Sequence, residues 1–500
     1  MSVFATAHTL ALGGLVGVTV CVEAHVGPGL VQTRIVGNPD SSVREAADRV
    51  RAAFMSCNLP ALNKRLTVNL SPADLPKSGA SFDLAIAVAI LKARGLLDDS
   101  IGLDTALGAE VALDGSLQPI RGALAVAWAA KEQGFKRLIV APECAEEAAQ
   151  VQGIQVFGCG HLKELLDAFS PGEQPRWDTL KETFPSAPRP YHMDIDLAEV
   201  RGQEDARRAA LVAAVGGHNM LLHGEPGAGK SLLAARLSTL LPDMDAEQAM
   251  TCAALRSLTG IAAVPNLRPP SESVSPSTTL AAMVGGGSRE VRPGAISLAH
   301  GGVLVLDEAP EFPRKLLEAL RSPLDEGVVT TRRALHTVTF PAKFQLIMTA
   351  NPCPCGGKQC SCRANAIRLY RQKLSGPVLD RVDIFQRMVQ PTEAALQADV
   401  GLSSTAGRNL VLQAQERSKH RWPHHQRNNE AGGHELRDGM DQGFLDTLRR
   451  GLERGWMSMR GVDRVLRLSW SIADLEGHGV PSAEDFAYAL DLRTKDAWNV

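Results

Sequence analysis

A glycine-rich segment over residues 224–231 constrains this chain more than any other feature. It reads Gly224-Glu225-Pro226-Gly227-Ala228-Gly229-Lys230-Ser231. An apolar run precedes it and a helix-like run follows it, which is the strand–loop–helix context of a phosphate-binding loop. Glycines let backbone N–H groups close around phosphate oxygens at a helix N-terminus. The segment predicts an ATP site in which Lys230 contacts the β- and γ-phosphates and Ser231 ligates Mg²⁺.

A second motif is an apolar run over residues 301–306 that ends in two acids, Asp307 and Glu308. Such a run is typical of a strand buried on both faces of a parallel sheet, and ligands bind at the carboxyl ends of these strands. We expect Asp307 to hold Mg²⁺, directly or through water, and Glu308 to polarise the water that attacks the γ-phosphate. A solvated strand end is the alternative, and the phosphate loop upstream makes it the weaker one.

Three further residues complete the expected catalytic set. Residues 344–350 predict another buried strand, and Asn351 after it is placed to orient the attacking water beside Glu308. Arg381 follows in a short polar segment and is placed to act on the γ-phosphate of a neighbouring subunit. Arg460 opens a late helix and is expected to contact the same nucleotide from a lid domain.

Composition limits the classes of partner. The chain has 500 residues, of which 44% are hydrophobic and 22% charged, with a net charge of −2. This is typical of a globular protein of two to four domains and excludes a global basic field, so a nucleic-acid surface must be local. The N-terminus lacks the basic start and continuous apolar core of a signal peptide, and no run has membrane-spanning length. We expect a cytoplasmic protein with no membrane partner.

The chain divides into three blocks joined by a linker. Residues 1–169 show strands and helices without a nucleotide motif, and residues 170–193 are rich in proline and polar residues, which predicts a linker. Residues 194–390 contain the nucleotide motifs, and residues 391–500 are helical and polar. The expected fold class is α/β with a parallel central sheet.

The order of these motifs resembles the AAA+ ATPases of the magnesium-chelatase clade and, more closely, the ComM/YifB family. The strings that carry the resemblance lie at 216–219 (GGHN), 283–287 (MVGGG), 306–308 (LDE), 351–356 (NPCPCG) and 374–381 (LSGPVLDR). The resemblance covers nearly the whole chain. It implies a central AAA+ ATPase core of magnesium-chelatase type with a C-terminal helical lid. It also implies a homo-oligomer, expected to be a hexamer, and a link to DNA branch migration in natural transformation.

One string departs from the family pattern. The family usually carries an Arg-Pro-Phe-Arg-x-Pro-His-His-type string before the triple glycine. Here Glu272 replaces the second arginine, and Ser275 and Pro276 replace the paired histidines. If this segment faces a pore or DNA, its contact chemistry has changed.

The N-terminal block resembles a Lon-type protease domain, which has the ribosomal S5 domain 2-like α+β fold. Ser81 falls where the catalytic serine would be, but Leu124 stands at the expected lysine position. A serine hydroxyl needs a base to become a useful nucleophile, and Lys131 lies about two helical turns further on. The resemblance therefore implies a Lon-like fold that is inactive as a protease.

Four of the nine cysteines cluster within ten residues, at Cys353, Cys355, Cys360 and Cys362. In a cytosolic enzyme such a cluster indicates a metal site rather than a disulfide framework. The set is suited to a structural Zn²⁺, and two free thiol pairs in a reduced loop are the alternative.

Residues 328–339 predict a β-hairpin with Arg332 and Arg333 at its tip. Related ring ATPases project a hairpin from this point into the pore, where two arginines would contact DNA phosphates. A surface hairpin with two solvated arginines is an equally good interpretation from the residues alone. The sequence thus predicts an ATP-hydrolysing motor acting on branched or single-stranded DNA as a helicase. The rivals are an ATP-dependent protease, a chelatase-type subunit that remodels a protein, and a non-enzymatic scaffold.

Overall fold

The computed structural model describes residues 4–61, 64–185, 195–287, 291–332, 337–357, 360–398, 401–425 and 427–494. An N-terminal α/β unit is followed by a central unit built on a parallel sheet and then by a group of C-terminal helices. Among the described residues, no helix is both long enough and apolar enough to cross a membrane.

The N-terminal unit is built on an eight-stranded mixed sheet with the strand order β10-β9-β8-β5-β1-β2-β4-β3. A short hairpin, β6–β7, lies beside it. The strands are β1 Phe4–Gly13, β2 Val16–Gly27, β3 Thr33–Val36, β4 Arg65–Ser71, β5 Thr105–Gly108, β6 Glu110–Val111, β7 Leu117–Gln118, β8 Arg137–Val140, β9 Gln155–Gly158 and β10 Lys181–Thr183.

Helices cover this sheet and bury its apolar side chains. They are α1 Ser41–Ser56, α2 Asp83–Ala93, α3 Ala123–Glu132, α4 Pro142–Ala148 and α5 Leu162–Ala168. Every residue of α2 is buried, because its continuous apolar run lies between the sheet and α1. Its first residue, Asp83, is paired there with Arg49, whose Nε donates a hydrogen bond of 2.7 Å.

Residues 177–183 of the segment predicted as a linker, 170–193, pack on the N-terminal unit. Strand β10 pairs with β9 as the edge of the N-terminal sheet. The Trp177 ring packs against Phe157 and Phe169 at centroid distances of 4.9 and 4.8 Å. Proline and polar composition suggested a linker, but a few apolar anchors are enough to fix this segment to the sheet. Residues 186–193 of the predicted linker lie outside the described part of the chain.

The central unit contains a five-stranded sheet with the order β12-β15-β18-β11-β19, and all its strands are parallel. The parallel sheet confirms the predicted α/β core. The strands of this unit are β11 Met220–Gly224, β12 Ser271–Val274, β13 Gly285–Gly286, β14 Arg292–Pro293, β15 Val303–Leu306, β16 Val328–Arg332, β17 Thr337–Pro341, β18 Gln345–Ala350 and β19 Ile384–Met388. Its helices are α6 Glu204–Gly216, α7 Lys230–Arg236, α8 Ala246–Ser257, α9 Leu280–Val284, α10 Ala295–Leu298, α11 Arg314–Ala319, α12 Arg321–Glu326, α13 Ala364–Gln372, α14 Gly376–Leu379 and α15 Glu393–Ala398.

The string that departs from the family pattern forms the edge strand of this sheet. Within β12, Glu272 accepts a 2.7 Å hydrogen bond from Arg256 of α8. Val274 is in register with Leu306, so Ser275 and Pro276 follow at the same sheet edge as Asp307. The replaced histidine positions therefore lie at the carboxyl edge of the sheet.

The predicted hairpin forms part of the contact between the N-terminal and central units, beside the packing of α3 on α8. Strands β16 and β17 form its two arms, and Val338 and Phe340 of β17 are buried. Leu15, in the turn between β1 and β2, packs against this pair. Gly14 approaches so closely that a Cβ there would lie 3.1 Å from Thr339 O. The hairpin arm thus joins the two units.

The C-terminal region is helical, as predicted, and packs on α6. Its helices are α16 Ser404–Arg421, α17 Gln442–Glu453, α18 Met459–Glu476 and α19 Ala483–Arg493. Trp470 of α18 is buried, and its indole N–H donates to Leu436 O at 3.0 Å. The assignments of these helices as a lid and of the N-terminal unit as Lon-like stay predictions.

Candidate active site

The phosphate loop joins β11 to α7 and depends on its glycines. At Gly224 φ is 151°, and a Cβ there would lie only 1.9 Å from Met388 O. Gly227 and Gly229 adopt left-handed φ values of 80° and 89°, which side chains with a Cβ disfavour. The backbone can therefore follow this turn only with glycine at these positions.

Lys230 is buried at the centre of the loop. Its Nζ donates to Gly224 O at 2.8 Å, to Glu225 O at 2.9 Å and to Asn351 Oδ1 at 3.1 Å. Burial lowers the pKa of Lys230, and the nearby carboxylates of Asp307 and Glu308 oppose that shift. The ammonium is thus held by neutral acceptors, and a phosphate anion would stabilise its charged form further.

Three oxygen atoms meet next to Lys230. Ser231 Oγ donates to Asp307 Oδ1 at 2.7 Å, and Thr349 Oγ1 donates to the same oxygen at 2.6 Å. Hydroxyl and carboxylate oxygens are the ligands that Mg²⁺ prefers. The donor set fits the magnesium site predicted at Ser231 and Asp307. Sequence reasoning missed Thr349, although its place two residues before Asn351 at the end of a buried strand was a usable signal.

Glu308 has an unusual backbone. Its φ is 56°, in the left-handed region, which costs a residue other than glycine about 1–3 kcal/mol. Its backbone N–H donates to Thr349 Oγ1 at 2.8 Å, and its side chain is exposed at the sheet edge. Strain of this kind collects at functional sites. The carboxylate is accessible to a water beside bound nucleotide.

The five central predicted residues therefore converge. Lys230 and Ser231 begin α7, Asp307 and Glu308 follow β15, and Asn351 follows β18. The hydrogen bonds above tie all three segments together at the carboxyl edge of the sheet. Gln203, just before α6, supports the loop by donating to Ala228 O at 2.9 Å and to Val389 O at 2.6 Å.

Comparison with known proteins agrees with this geometry. Residues 196–396 match the family model described as magnesium chelatase, subunit ChlI. Residues 22–144 and 401–493 match two further models, for subunit ChlI of Mg-chelatase and for its C-terminal part.

Relatives that align with nearly the whole chain identify the family more closely. The chain is 41% identical to an uncharacterized protein of Mycobacterium tuberculosis, with 98% of this chain and 99% of that protein covered. It is 36% identical to the uncharacterized protein YifB of Escherichia coli and 35% identical to the competence protein ComM of Haemophilus influenzae. Each of these two alignments covers 98% of this chain and 97% of the relative. The chain belongs to the YifB/ComM family of magnesium-chelatase-like AAA+ proteins. The family implies ATPase activity.

Two predicted residues of this YifB/ComM-family protein lie away from the phosphate loop. Arg381 precedes β19, whose first residue, Ile384, is in register with Met220 at the start of β11. Gly224 stands at the other end of β11, roughly 13 Å along the strand. The structure therefore places Arg381 at the sheet edge opposite to the nucleotide motifs of its own chain.

Arg381 is held in place by a carboxylate that sequence reasoning missed. Its Nε donates to Asp325 Oδ1 at 2.9 Å, and its Nη2 donates to the second oxygen of Asp325. Arg460, which is largely exposed, lies near Asp380, with its Nη1 3.5 Å from Asp380 Oδ2. Arg381, Asp380 and Arg460, together with Arg321, line an open cleft of about 660 Å³. The structure brings Arg381 and Arg460 together, but not with Lys230.

The remaining predicted residues are the hairpin arginines and the clustered cysteines. Arg332 is exposed at the end of β16, and Arg333 lies outside the described residues. The four clustered cysteines follow Asn351, and their sulfur atoms all lie within 4.8 Å of one another. The thiols are free, and the Cys353 and Cys355 sulfurs are 3.3 Å apart, far longer than a disulfide bond of about 2.05 Å.

Proposed function

We propose that this protein is an ATP-driven motor that remodels branched DNA as a homo-hexameric ring in the cytoplasm. The observation that carries the ATP-hydrolysing part is the convergence of Lys230, Ser231, Asp307, Glu308 and Asn351 at one sheet edge. The DNA part is supported by the relation to the competence protein ComM and by the exposed Arg332.

Each residue has a defined task in hydrolysis. Lys230 would bind the β- and γ-phosphates in place of its present acceptors, and Ser231 and Asp307 would hold Mg²⁺. Bound Mg²⁺ neutralises charge on the phosphates. Glu308 would accept a proton from the attacking water while Asn351 orients that water. Catalysis then arises from positioning and charge neutralisation.

The cleft around Arg381 and Arg460 supports an assembled active site. A cationic group at the sheet edge opposite to the phosphate loop is useful for hydrolysis if a neighbouring subunit presents its nucleotide to it. Subunits that pack head to tail in this way form a ring when the rotation between neighbours closes. Arg381 would then contact the neighbour's γ-phosphate, and Arg460 would contact the same nucleotide.

A ring would also repeat the β16–β17 hairpin around an axis. Arg332 and Arg333 of each copy would form a basic collar, although one chain has a net charge of −2. Arginine contacts to phosphates position a strand without reading its sequence. DNA binding should therefore weaken steeply with salt and show little sequence preference.

The clustered cysteines supply a further cofactor site in this proposal. Four thiolates at a Zn–S distance of about 2.3 Å place their sulfurs roughly 3.8 Å apart in a tetrahedron. The sulfurs of Cys353, Cys355, Cys360 and Cys362 are already within 4.8 Å of one another. We therefore propose one structural Zn²⁺ per chain.

A second candidate function is a chelatase-type ATPase that remodels a partner protein. The observation that favours it is that three segments of the chain match models of the magnesium chelatase subunit ChlI. Both candidate functions use the same ATP site. They differ in whether DNA or a partner protein stimulates ATP hydrolysis.

The test is ATP turnover with and without a synthetic four-way DNA junction at low salt. The DNA-motor proposal expects faster turnover with the junction, lost when salt is raised to weaken phosphate contacts. An equal amount of a linear duplex of the same sequence is the control. Turnover that no DNA changes would support the chelatase-type candidate.

A further inference from the structure

The four cysteines lie in one loop that follows Asn351. It runs from Pro352 to Arg363, between β18 and α13, and its described residues form neither helix nor strand. Gly356 N–H donates to Cys353 O at 3.3 Å. Such a loop leaves β18 directly after Asn351, so whatever fixes the loop also fixes Asn351.

The loop brings its four sulfur atoms together. The sulfurs of Cys353, Cys355, Cys360 and Cys362 all lie within 4.8 Å of one another, and those of Cys353 and Cys355 are 3.3 Å apart. Four cysteine sulfurs at such distances suit a tetrahedral Zn²⁺ site. The arrangement therefore suits a metal held by four sulfurs.

The same loop lies close to two residues of the nucleotide site. A Cβ at Gly356 would lie 3.3 Å from Pro226 Cγ in the phosphate loop and 3.6 Å from Asn351 Nδ2. Asn351 Oδ1 in turn accepts the 3.1 Å hydrogen bond from Lys230 Nζ. The cysteine loop therefore lies beside Pro226 and Asn351, and Asn351 is hydrogen-bonded directly to Lys230.

We infer that the cysteine loop, through its described residues 352–357 and 360–363, forms a zinc-held strap that fixes Asn351 against the phosphate loop, so that zinc occupancy sets the rate of ATP hydrolysis. The inference rests on the proposed ATP hydrolysis. Zn²⁺ bound by four thiolates removes most of the conformational freedom of a twelve-residue loop. Without it, Asn351 is attached to a loose segment, and a displacement of about 1 Å at a catalytic group costs up to about a hundredfold in rate.

Nucleotide binding should not depend on the strap to the same degree. Lys230 is also held by Gly224 O and Glu225 O, and the glycine turns belong to the phosphate loop itself. Loss of zinc is therefore expected to separate binding from turnover. A general loss of folding would reduce both.

The experiment uses the full-length protein and a double variant, Cys360→Ser with Cys362→Ser. This pair is chosen because it lies far along the loop from Asn351 and is not fully buried. Cys21→Ser, in the N-terminal sheet, is the matched control. Cys362→His is the rescue variant, because three cysteines and one histidine also bind Zn²⁺.

Zinc per chain is measured by elemental analysis, and the absorption spectrum after Co²⁺ exchange reports tetrahedral thiolate ligation. Affinity for a fluorescent ATP analogue and turnover at saturating ATP are measured in parallel.

We expect about one zinc per chain in the wild type, the control and the rescue variant, and none in the double variant. Turnover of the double variant should fall about tenfold to a hundredfold while the analogue's dissociation constant changes less than about threefold. A wild type without zinc and without a thiolate–cobalt spectrum would overturn the site. A zinc-free double variant with wild-type turnover would overturn the strap. A wild type that binds zinc but hydrolyses no ATP would instead contradict the proposed function.

Discussion

Ser231 Oγ donates a 2.7 Å hydrogen bond to Asp307 Oδ1, which joins the phosphate loop to the strand that carries the acidic pair. The two residues are 76 positions apart in the chain, yet the parallel pairing of the central sheet brings them to one edge. This contact places the two expected Mg²⁺ ligands together. Because Lys230 lies on the phosphate loop and Glu308 follows a separate strand, nucleotide binding and hydrolysis can be tested by separate substitutions.

Lys230→Ala and Glu308→Gln should fail at different steps. Lys230→Ala removes the charge that binds the β- and γ-phosphates, so a fluorescent ATP analogue should no longer bind. Glu308→Gln keeps the site intact but removes the base, so ATP should bind normally while turnover falls about a hundredfold or more. Equilibrium binding and phosphate release measure the two steps. Unchanged turnover in Glu308→Gln would remove Glu308 from the mechanism.

Thr349→Val tests the residue that sequence reasoning missed. The substitution deletes the hydroxyl that bonds both Asp307 Oδ1 and the Glu308 backbone N–H. Each of these two hydrogen bonds contributes about 0.5–1.5 kcal/mol to the positioning of the Asp307 carboxylate and the Glu308 backbone, so we expect roughly tenfold slower turnover and a higher Mg²⁺ requirement. Magnesium titrations of ATP turnover measure this. Thr105→Val, equally buried in the N-terminal sheet, is the control. A Thr349→Val protein that behaves like this control would show that the Thr349 contact is dispensable.

Arg381 should act between subunits. Arginines that contact a neighbour's γ-phosphate contribute about 10³-fold or more to turnover, so Arg381→Ala should be nearly inactive. Mixing it with inactive Lys230→Ala subunits should restore part of the activity, because a mixed ring can contain an intact interface. Arg314→Ala, an exposed arginine on α11, is the control. No recovery in rings shown by mass measurement to be mixed would argue against the role in trans.

No peptidase activity is expected from the N-terminal unit. Ser81 lies in the turn Ala80–Phe82 just before α2, next to the core on one side of the sheet, while Leu124 is buried in a different cluster on α3. A nucleophilic serine needs a base within hydrogen-bond reach, and Leu124 cannot supply one. Digestion of an unfolded protein substrate measures this. Cleavage that disappears in Ser81→Ala would reverse the conclusion.

Sequence patterns predicted the parts of the molecule in which the chemistry is local. The phosphate loop, the acidic pair and Asn351 each follow a buried strand, and the parallel sheet then brings them together without further information. The hairpin over β16 and β17 and the helix that starts near Arg460 were also visible as patterns.

The features that the sequence did not predict depend on contacts between distant segments of the chain. Asp325 pairs with Arg381 across 56 positions, and nothing in the local sequence marks it. The segment around Trp177 looked like a linker because its composition is polar, whereas a few aromatic contacts attach it to the sheet. Glu272 was interpreted by reference to a missing arginine, but its ion pair with Arg256 belongs to an edge strand. In each case the role of the residue depends on a tertiary contact that composition and local pattern do not indicate.

The most direct test of the account is branch migration of a synthetic four-way DNA junction. Wild-type protein with Mg²⁺ and ATP should convert the junction into two duplex products, and Glu308→Gln should bind the junction without converting it. Arg332→Ala combined with Arg333→Ala should lose the conversion while keeping ATP turnover in the absence of DNA. Full conversion by that double variant would contradict the role of the hairpin. A wild type that hydrolyses ATP but leaves every junction intact would contradict the proposed DNA motor itself.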